Sequence, residues 1–409
     1  MTRTNPDKLV PNGQCSTAPH PHDESSNPLF TRRRALLAGA AGLVGLAAVE
    51  KPTPAAAAPA GQMSPLDLSA MLGMAPLDSF SGATDDAKMA AALSYVGGQT
   101  YKPTLVLANR SYSFNNTYPL SINGLRISGP LGGMAREFRN NTQVHCPAGG
   151  LFSVVSGVKD FYIQGLSFTG SGMFIKPTSN VLSDCDITEC GFVGFNSVYS
   201  GKILRCNFDR WYVNTASGTQ LDVGGSDSSL FMSGNSFMSG QIASGLPYIR
   251  FGSLSQSRVG AMYCTPTHGY GLNLDAGSDA EGLEFFGWRQ TAYGQSQGGP
   301  TGAGIRIRNG QAVTFHGGVL FNANTDGTAA GDIECWGGAD HVFEDFQFVG
   351  THEGFTSVNM SAPAIYTEVP IVVRSPRSVG KRPKVLQQST SGLIRCDDPT
   401  WKINTKRAR

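Results

Sequence analysis

A six-residue pattern returns along this chain: apolar, any, Gly/Asp/Arg, apolar, any, apolar. It reads at Ile122–Ile127, Ile163–Phe168, Leu182–Ile187, Ile203–Phe208 and Phe343–Phe348, with looser copies at Met232–Phe237, Ala280–Phe285 and Phe315–Leu320. Strand side chains alternate between two faces, so the fourth and sixth positions share a face and the fifth opposes them. The fourth and sixth hold Leu125/Ile127, Leu166/Phe168, Cys185/Ile187, Cys206/Phe208, Leu283/Phe285 and Phe346/Phe348. The fifth holds Arg126, Ser167, Asp186, Asn207, Ser236, Glu284 and Gln347, all suited to water. A degenerate repeat that recurs over tens of residues predicts a stacked architecture, each unit burying its face against its neighbours.

The elements around the repeat agree with that expectation. Ala87–Tyr95 reads as a short helix, with Met89, Leu93 and Val96 as its apolar stripe. Asp85 or Asp86 is placed to accept from its first N–H groups, and Gly97-Gly98 to stop it. Short strands follow at Thr104–Leu107 and Ser111–Phe114. From about 120 to 373 the chain is short apolar strands broken by Gly, Asn, Asp and Ser, with no long helix. A helix across the open end of a stacked tube would block edge-to-edge association. Cys185 and Cys206 share the fourth position of successive copies, so both are expected to point inward and stack as small hydrophobes.

The Asp85-Asp86 helix, the Gly97-Gly98 turn and the ladder beginning at Ile122 resemble the right-handed parallel β-helix of the pectate-lyase-like superfamily. The resemblance covers about residues 80–375. It implies an all-β solenoid with a short N-terminal capping helix, in a group whose members mostly cleave, eliminate or epimerise polysaccharides. Fold alone does not assign an activity. Polygalacturonases carry Asn-Thr-Asp and Arg-Ile-Lys motifs. Here Asn324-Thr325-Asp326 follows Arg306-Ile307-Arg308, in reversed order, and that family's catalytic roles are not carried over.

Composition refines the picture at the ends. Thr31-Arg32-Arg33-Arg34 opens an apolar run through Val49, and Ala58-Pro59-Ala60 follows as a small-x-small site. Residues 1–60 resemble a twin-arginine export signal, which predicts a periplasmic or extracellular protein with no membrane span in its mature form. Residues 61–79 read as a linker and 376–409 as a basic tail. The net charge of +2 gives no reason to invoke nucleic acid. Eight cysteines, one inside the signal, leave an odd number, which argues against a complete disulfide framework.

Stacking brings equivalent positions of successive coils together, so acids can converge without being close in sequence. The later coils hold Glu281, His316 and Glu344, with Glu284 and Asp345 beside them. Asp326 and His352-Glu353 lie just beyond the last copies. Asp332 and Glu334 stand on one strand face, ~6–7 Å apart by strand geometry. Inverting hydrolysis needs carboxyls about 6.5–9.5 Å apart. Elimination needs a base and a way to neutralise a uronate, often Ca²⁺ on oxygen ligands. The candidate catalytic residues are therefore Asp326, Asp332, Glu334, His352 and Glu353, with Ca²⁺ a possible cofactor. A second cluster, Asp184, Asp186, Glu189, Asp209 and Arg210, suits either Ca²⁺ or ion pairs across coils. Trp211-Tyr212, Phe192, Trp288 and Trp336 would offer sugar-stacking faces if exposed. The expected function is polysaccharide cleavage by a glycoside hydrolase or lyase in a groove along the coil. A C5-epimerase is not separable from a lyase by sequence, and the alternative class is a non-catalytic carbohydrate-binding or spike-like protein.

Overall fold

The computed structural model describes residues 72–130, 142–176, 178–214, 218–224, 230–233, 235–238, 249–252, 254, 256–264, 271–275, 282–291, 303–321, 329–350, 363–380 and 382–407. The segment assigned to export, residues 1–60, lies outside them. Within them the protein is a right-handed parallel β-helix. Every strand pairing is parallel, and each coil contributes to three stacked ladders.

The first ladder runs through Leu105, Ile127, Ile163, Ile187, Phe208, Met232, Val259, Phe285, Phe315, Phe343 and Val373, each beside the next. The second includes Val144, Phe168, Phe192, Val213, Phe237, Cys264, Gln290, Leu320 and Phe348. The third passes through Leu221, Ile249, Leu272, Ile305, Ile333, Ile365 and Leu386. These side chains point inward and, apart from the buried amide of Gln290, form a continuous hydrophobic core. Phe285, Phe315 and Phe343 stack face to face, with centroids 4.4 and 5.3 Å apart.

The hexapeptide is a corner motif, and it is used at two different corners of the coil. In the copies at 122, 182, 203 and 280 the third residue turns the chain into the first ladder. Those residues are Gly124, Asp184, Arg205 and Gly282, with φ of 74°, 53°, 51° and 68°. In the copies at 163, 315 and 343 the third residue turns it from the first ladder into the second. Here Gly165, Gly317 and Asp345 have φ of 69°, 66° and 50°. Left-handed backbone is cheap for Gly and tolerable for Asp, which explains the composition of that position. The single inner ladder expected from the pattern is thus two ladders read together. Among the described side chains its inside/outside sorting holds with two exceptions: Ser167 at a fifth position and Asn235 at a fourth are both fully buried.

Cys185 and Cys206 are buried and free, with the Cys206 thiol donating to the Leu182 carbonyl one coil earlier. The capping helix α1 spans Asp85–Gly98, longer than expected, and includes both glycines. Its N-cap is Thr84, whose hydroxyl accepts from Ala87 N at 3.2 Å, rather than either aspartate. The aspartates reach outward to the chain that follows. Asp85 accepts from Arg110 and Ser113 N; Asp86 accepts from the backbone N–H of Asn115 and Asn116 and from the Tyr118 hydroxyl at 2.6 Å. With Asp78–Arg110, these bonds staple the cap to the first coils.

The solenoid also extends beyond the expected bounds. Met74–Pro76, inside the segment read as a linker, pairs with Thr104–Val106. Residues 376–409, expected as a basic tail, carry the strands Arg377–Gly380, Val385–Gln388, Ile394–Cys396 and Lys402–Thr405, each paired to the coil before it. Charge hid these coils from a reading based on apolar runs, although Leu386, Ile394 and Trp401 are buried within them.

Candidate functional site on the third ladder

The chain turns the two corners beside the first ladder on one left-handed residue each, whereas the return to the third ladder takes much longer segments in the later coils. The outward positions of the third ladder carry the stacked charges. Ser200, Asp222, Arg250, Asn273, Arg306, Glu334 and Tyr366 follow one another on successive coils. Arg250 bridges Asp222 at 3.6 Å and Asp275 at 3.1 Å. Burial pushes the Asp222 carboxyl above its ordinary pKa, against the nearby Arg250 charge.

Glu334 is the fixed point of this face. It accepts from Arg306 Nε at 2.8 Å, Trp336 Nε1 at 3.0 Å and Ala330 N at 2.8 Å, and its side chain is 2% exposed. Trp336 packs against Tyr366 with centroids 5.1 Å apart, and the Tyr366 hydroxyl donates to Glu368 Oε1 at 2.8 Å. Glu368 is exposed and lies one coil on from Trp336, since Cys335 pairs with Thr367. Diagonal outward positions of neighbouring parallel strands lie ~8 Å apart, combining a ~4.8 Å rung with two residues of rise. Glu368, one residue past the strand Ile365–Thr367, lies diagonal to Glu334 in backbone position. One is buried and clamped, the other open.

Asp332 sits beside Glu334 in sequence but faces a different partner. Its Oδ1 is 2.6 Å from Arg382 Nη2, with both side chains almost wholly buried. Burial raises its pKa to about 7 despite the Arg382 charge. Arg382, from the segment expected to be a tail, also donates to the Pro363 carbonyl. The candidate pair Asp332 and Glu334 is therefore divided between two arginines. Asp326, His352 and Glu353 lie outside the described residues.

The other expected features resolve separately. Asp184 pairs with Arg205 at 2.6 Å, and Arg210 with Glu189 at 3.2 Å and Asp209 at 3.4 Å. Asp184 and Glu189 thus pair with arginines one coil on, Arg210 also meets its neighbour Asp209, and Asp186 stands half-buried beside Asn207; among the described residues no group of three His, Cys, Asp or Glu could hold a metal ion. Trp211, Trp288 and Phe192 are core residues, whereas Tyr212 and Trp336 are half-buried, and Trp336 lies beside the outward positions of the third ladder. His316 and Glu344 do meet by stacking, at 2.9 Å, but on the outer face of the first ladder. Glu368, Tyr366 and Arg250 escaped the sequence reading because they sit outside any hexapeptide; the alternation Ile365, Thr367 around Tyr366 was the available signal.

No protein-family model matches the chain, and no curated protein matches it. Among solved structures, the Agl-KA catalytic domain is 13% identical over 87% of this chain and 70% of its own, with a TM-score of 0.47. A GH87 α-1,3-glucanase catalytic domain in complex with tetrasaccharides is 11% identical over 88% and 71%, with a TM-score of 0.47. The A-module of an Azotobacter vinelandii mannuronan C-5 epimerase is 12% identical over 81% and 100%, with a TM-score of 0.38. These are likenesses of fold, and no residue role passes from them to this chain.

Proposed function

We propose that this protein is an exported carbohydrate-active enzyme that holds a polysaccharide on the outer face of the third ladder and hydrolyses it. The observation that carries the reading is the diagonal pair Glu334 and Glu368 beside Trp336. Backbone positions ~8 Å apart are compatible with the carboxyl separation at which a water fits between the second carboxylate and the sugar. Unlike environments on one face suit unlike roles. Glu368, open to solvent and oriented by Tyr366, is placed to activate a water. Glu334 lies across the diagonal with Arg306 beside it, and Trp336 offers a ring edge and face to a pyranose. The twin-arginine-like segment supports export of the folded protein.

A second reading, non-catalytic binding, is favoured by the arginine partners of Asp332 and Glu334, which neutralise both buried acids. One assay separates the two. The mature protein and its Glu368→Gln variant are incubated with a panel of polysaccharides, with reducing ends and unsaturated-uronate absorbance followed separately. Hydrolysis predicts new reducing ends without absorbance, lowered at least 100-fold in Glu368→Gln, in line with the usual worth of a positioned base. Binding with no turnover on every substrate selects the second reading. Absorbance would move the chemistry to elimination.

A further inference from the structure

Cys185 and Cys206 follow matching corners in successive coils. Asp184 and Arg205 turn the chain with φ of 53° and 51°, and the strands that leave them run in register, Asp186 beside Asn207 and Ile187 beside Phe208. The two cysteines are therefore neighbours on adjacent rungs, tied by the bond from Asn207 N to the Cys185 carbonyl at 2.7 Å. Rungs ~4.8 Å apart put their Cα atoms within the separation of about 4.4–6.8 Å that a disulfide bridges. Matching corners also aim both side chains the same way, into the core, where both are buried.

The sulfurs meet there. Cys206 Sγ donates to the Leu182 carbonyl at 3.3 Å, in the coil that holds Cys185, and Cys185 Sγ donates to the Ser183 carbonyl at 3.1 Å. The two thiols also share a hydrogen bond, which lowers the Cys206 pKa and raises that of Cys185, so Cys206 supplies the attacking thiolate. The other fully buried cysteines have no such neighbour. Cys190 lies between Leu166 and Trp211, Cys264 between Phe237 and Gln290, and Cys335 between Ile307 and Thr367. Packing alone asks for a small apolar side chain at each position and does not require two sulfurs in contact.

We infer that Cys185 and Cys206 form a modification site, a redox pair that a small disulfide oxidant joins into a covalent staple between coils in an oxidising compartment. The step is thiol–disulfide exchange with a compound such as glutathione disulfide. The Cys206 thiolate attacks one glutathione sulfur, the glutathione S–S bond breaks, and one glutathione leaves. Cys185 then attacks the Cys206 sulfur of the mixed disulfide, and the second glutathione leaves. Two protein thiols become one disulfide, and their two protons and two electrons end on two glutathione thiols. Sulfurs closed to solvent react only while their coil is open, and the coils of a solenoid open locally. The bond adds a covalent link behind the Asp184–Arg205 ion pair, which joins the same two coils on the outside at 2.6 Å. Neither cysteine belongs to the groove on the third ladder, so the staple is independent of the polysaccharide reading.

The test equilibrates the full mature chain in glutathione buffers from reducing to oxidising. Urea is added at a level that keeps the fold but lets the amides of residues 182–208 exchange, so the oxidant has access. Free thiols are then alkylated, and the digest is mapped by mass spectrometry without reduction. The oxidised protein should lose Cys185 and Cys206 together from the alkylated set and yield one linked peptide holding both, while Cys190, Cys264 and Cys335 stay alkylated. Amide exchange at residues 206–209 should slow about tenfold or more in the oxidised form, because the link restricts the opened coil. Cys185→Ala, which removes one partner, should exchange these amides at the same rate in both buffers. Cys185 and Cys206 still alkylated in the most oxidising buffer, while the amides of 182–208 exchange, would overturn the pair. So would a bond from either sulfur to another cysteine, or a linked pair whose exchange is no slower.

Discussion

Asn235 occupies the fourth position of the Met232–Phe237 copy, where the pattern calls for an apolar residue. Replacing it with leucine would repair the pattern, and it is expected to damage the protein. The side chain is fully buried and joins two coils: its Oδ1 accepts from Trp211 N at 2.7 Å, and its Nδ2 donates to the Phe208 carbonyl at 2.9 Å. Asn235→Leu strands both backbone groups inside the core. Each buried group left unpaired costs about 2 kcal/mol, and the added apolar burial returns about 2 kcal/mol in all. The net loss is about 2 kcal/mol, which corresponds to roughly 30-fold in an opening equilibrium. Because a solenoid unfolds coil by coil, a local probe suits it better than a global one. Amide exchange of the peptide spanning 206–213 should accelerate about 30-fold, with exchange near 371–374 unchanged. Unaltered or slower exchange in that peptide would refute the argument that hydrogen bonding, not apolarity, selects this residue.

Three further outcomes follow from the same geometry. Gly317 has φ of 66° and open space around its Cβ position, whereas a Cβ on Gly318 would sit 2.3 Å from the Phe346 ring. Gly317→Ala should therefore cost only the backbone term, about 1–2 kcal/mol, and Gly318→Ala clearly more in urea unfolding; equal costs would contradict the corner assignment. Asp332 has its pKa raised from 3.8 to about 7 by burial, so its contribution to stability is fully present below about pH 4 and is lost as pH rises through 7. The thermal midpoint of Asp332→Asn relative to the parent should accordingly improve across that window, and a constant difference would contradict it. Arg382→Met leaves Asp332 buried without its cation and should cost about 3–5 kcal/mol, most of it regained by adding Asp332→Leu; additive losses in a thermal-shift double-mutant cycle would refute the pairing.

The repeat made the architecture legible because strand alternation and left-handed corners leave compositional marks. Apolar fourth and sixth positions reported the inward face, and Gly, Asp or Arg at the third reported the turn. What the pattern could not separate was which corner each copy turned, since both use the same three-residue grammar. Coils after 375 were missed because Arg377, Arg382, Lys384 and Lys402 outweigh the few buried residues between them. The site was legible only in part. Asp332 and Glu334 do lie on the third ladder, but their arginines come from residues 306 and 382, fixed by the stacking of coils and invisible to local spacing. Glu368 and Tyr366 come together with Trp336 for the same reason. Their register follows from the pairing of Cys335 with Thr367, which depends on the length of a return loop.

The central claim is that a polysaccharide lies on the outer face of the third ladder. Amide hydrogen exchange of the mature protein, with and without a saturating oligosaccharide from a polymer it binds, tests that most directly. The account predicts slowed exchange in the peptides spanning 305–309, 333–336 and 365–368. Protection confined to the first ladder's outer face, around 284–289 and 314–317, with none in those peptides, would contradict it.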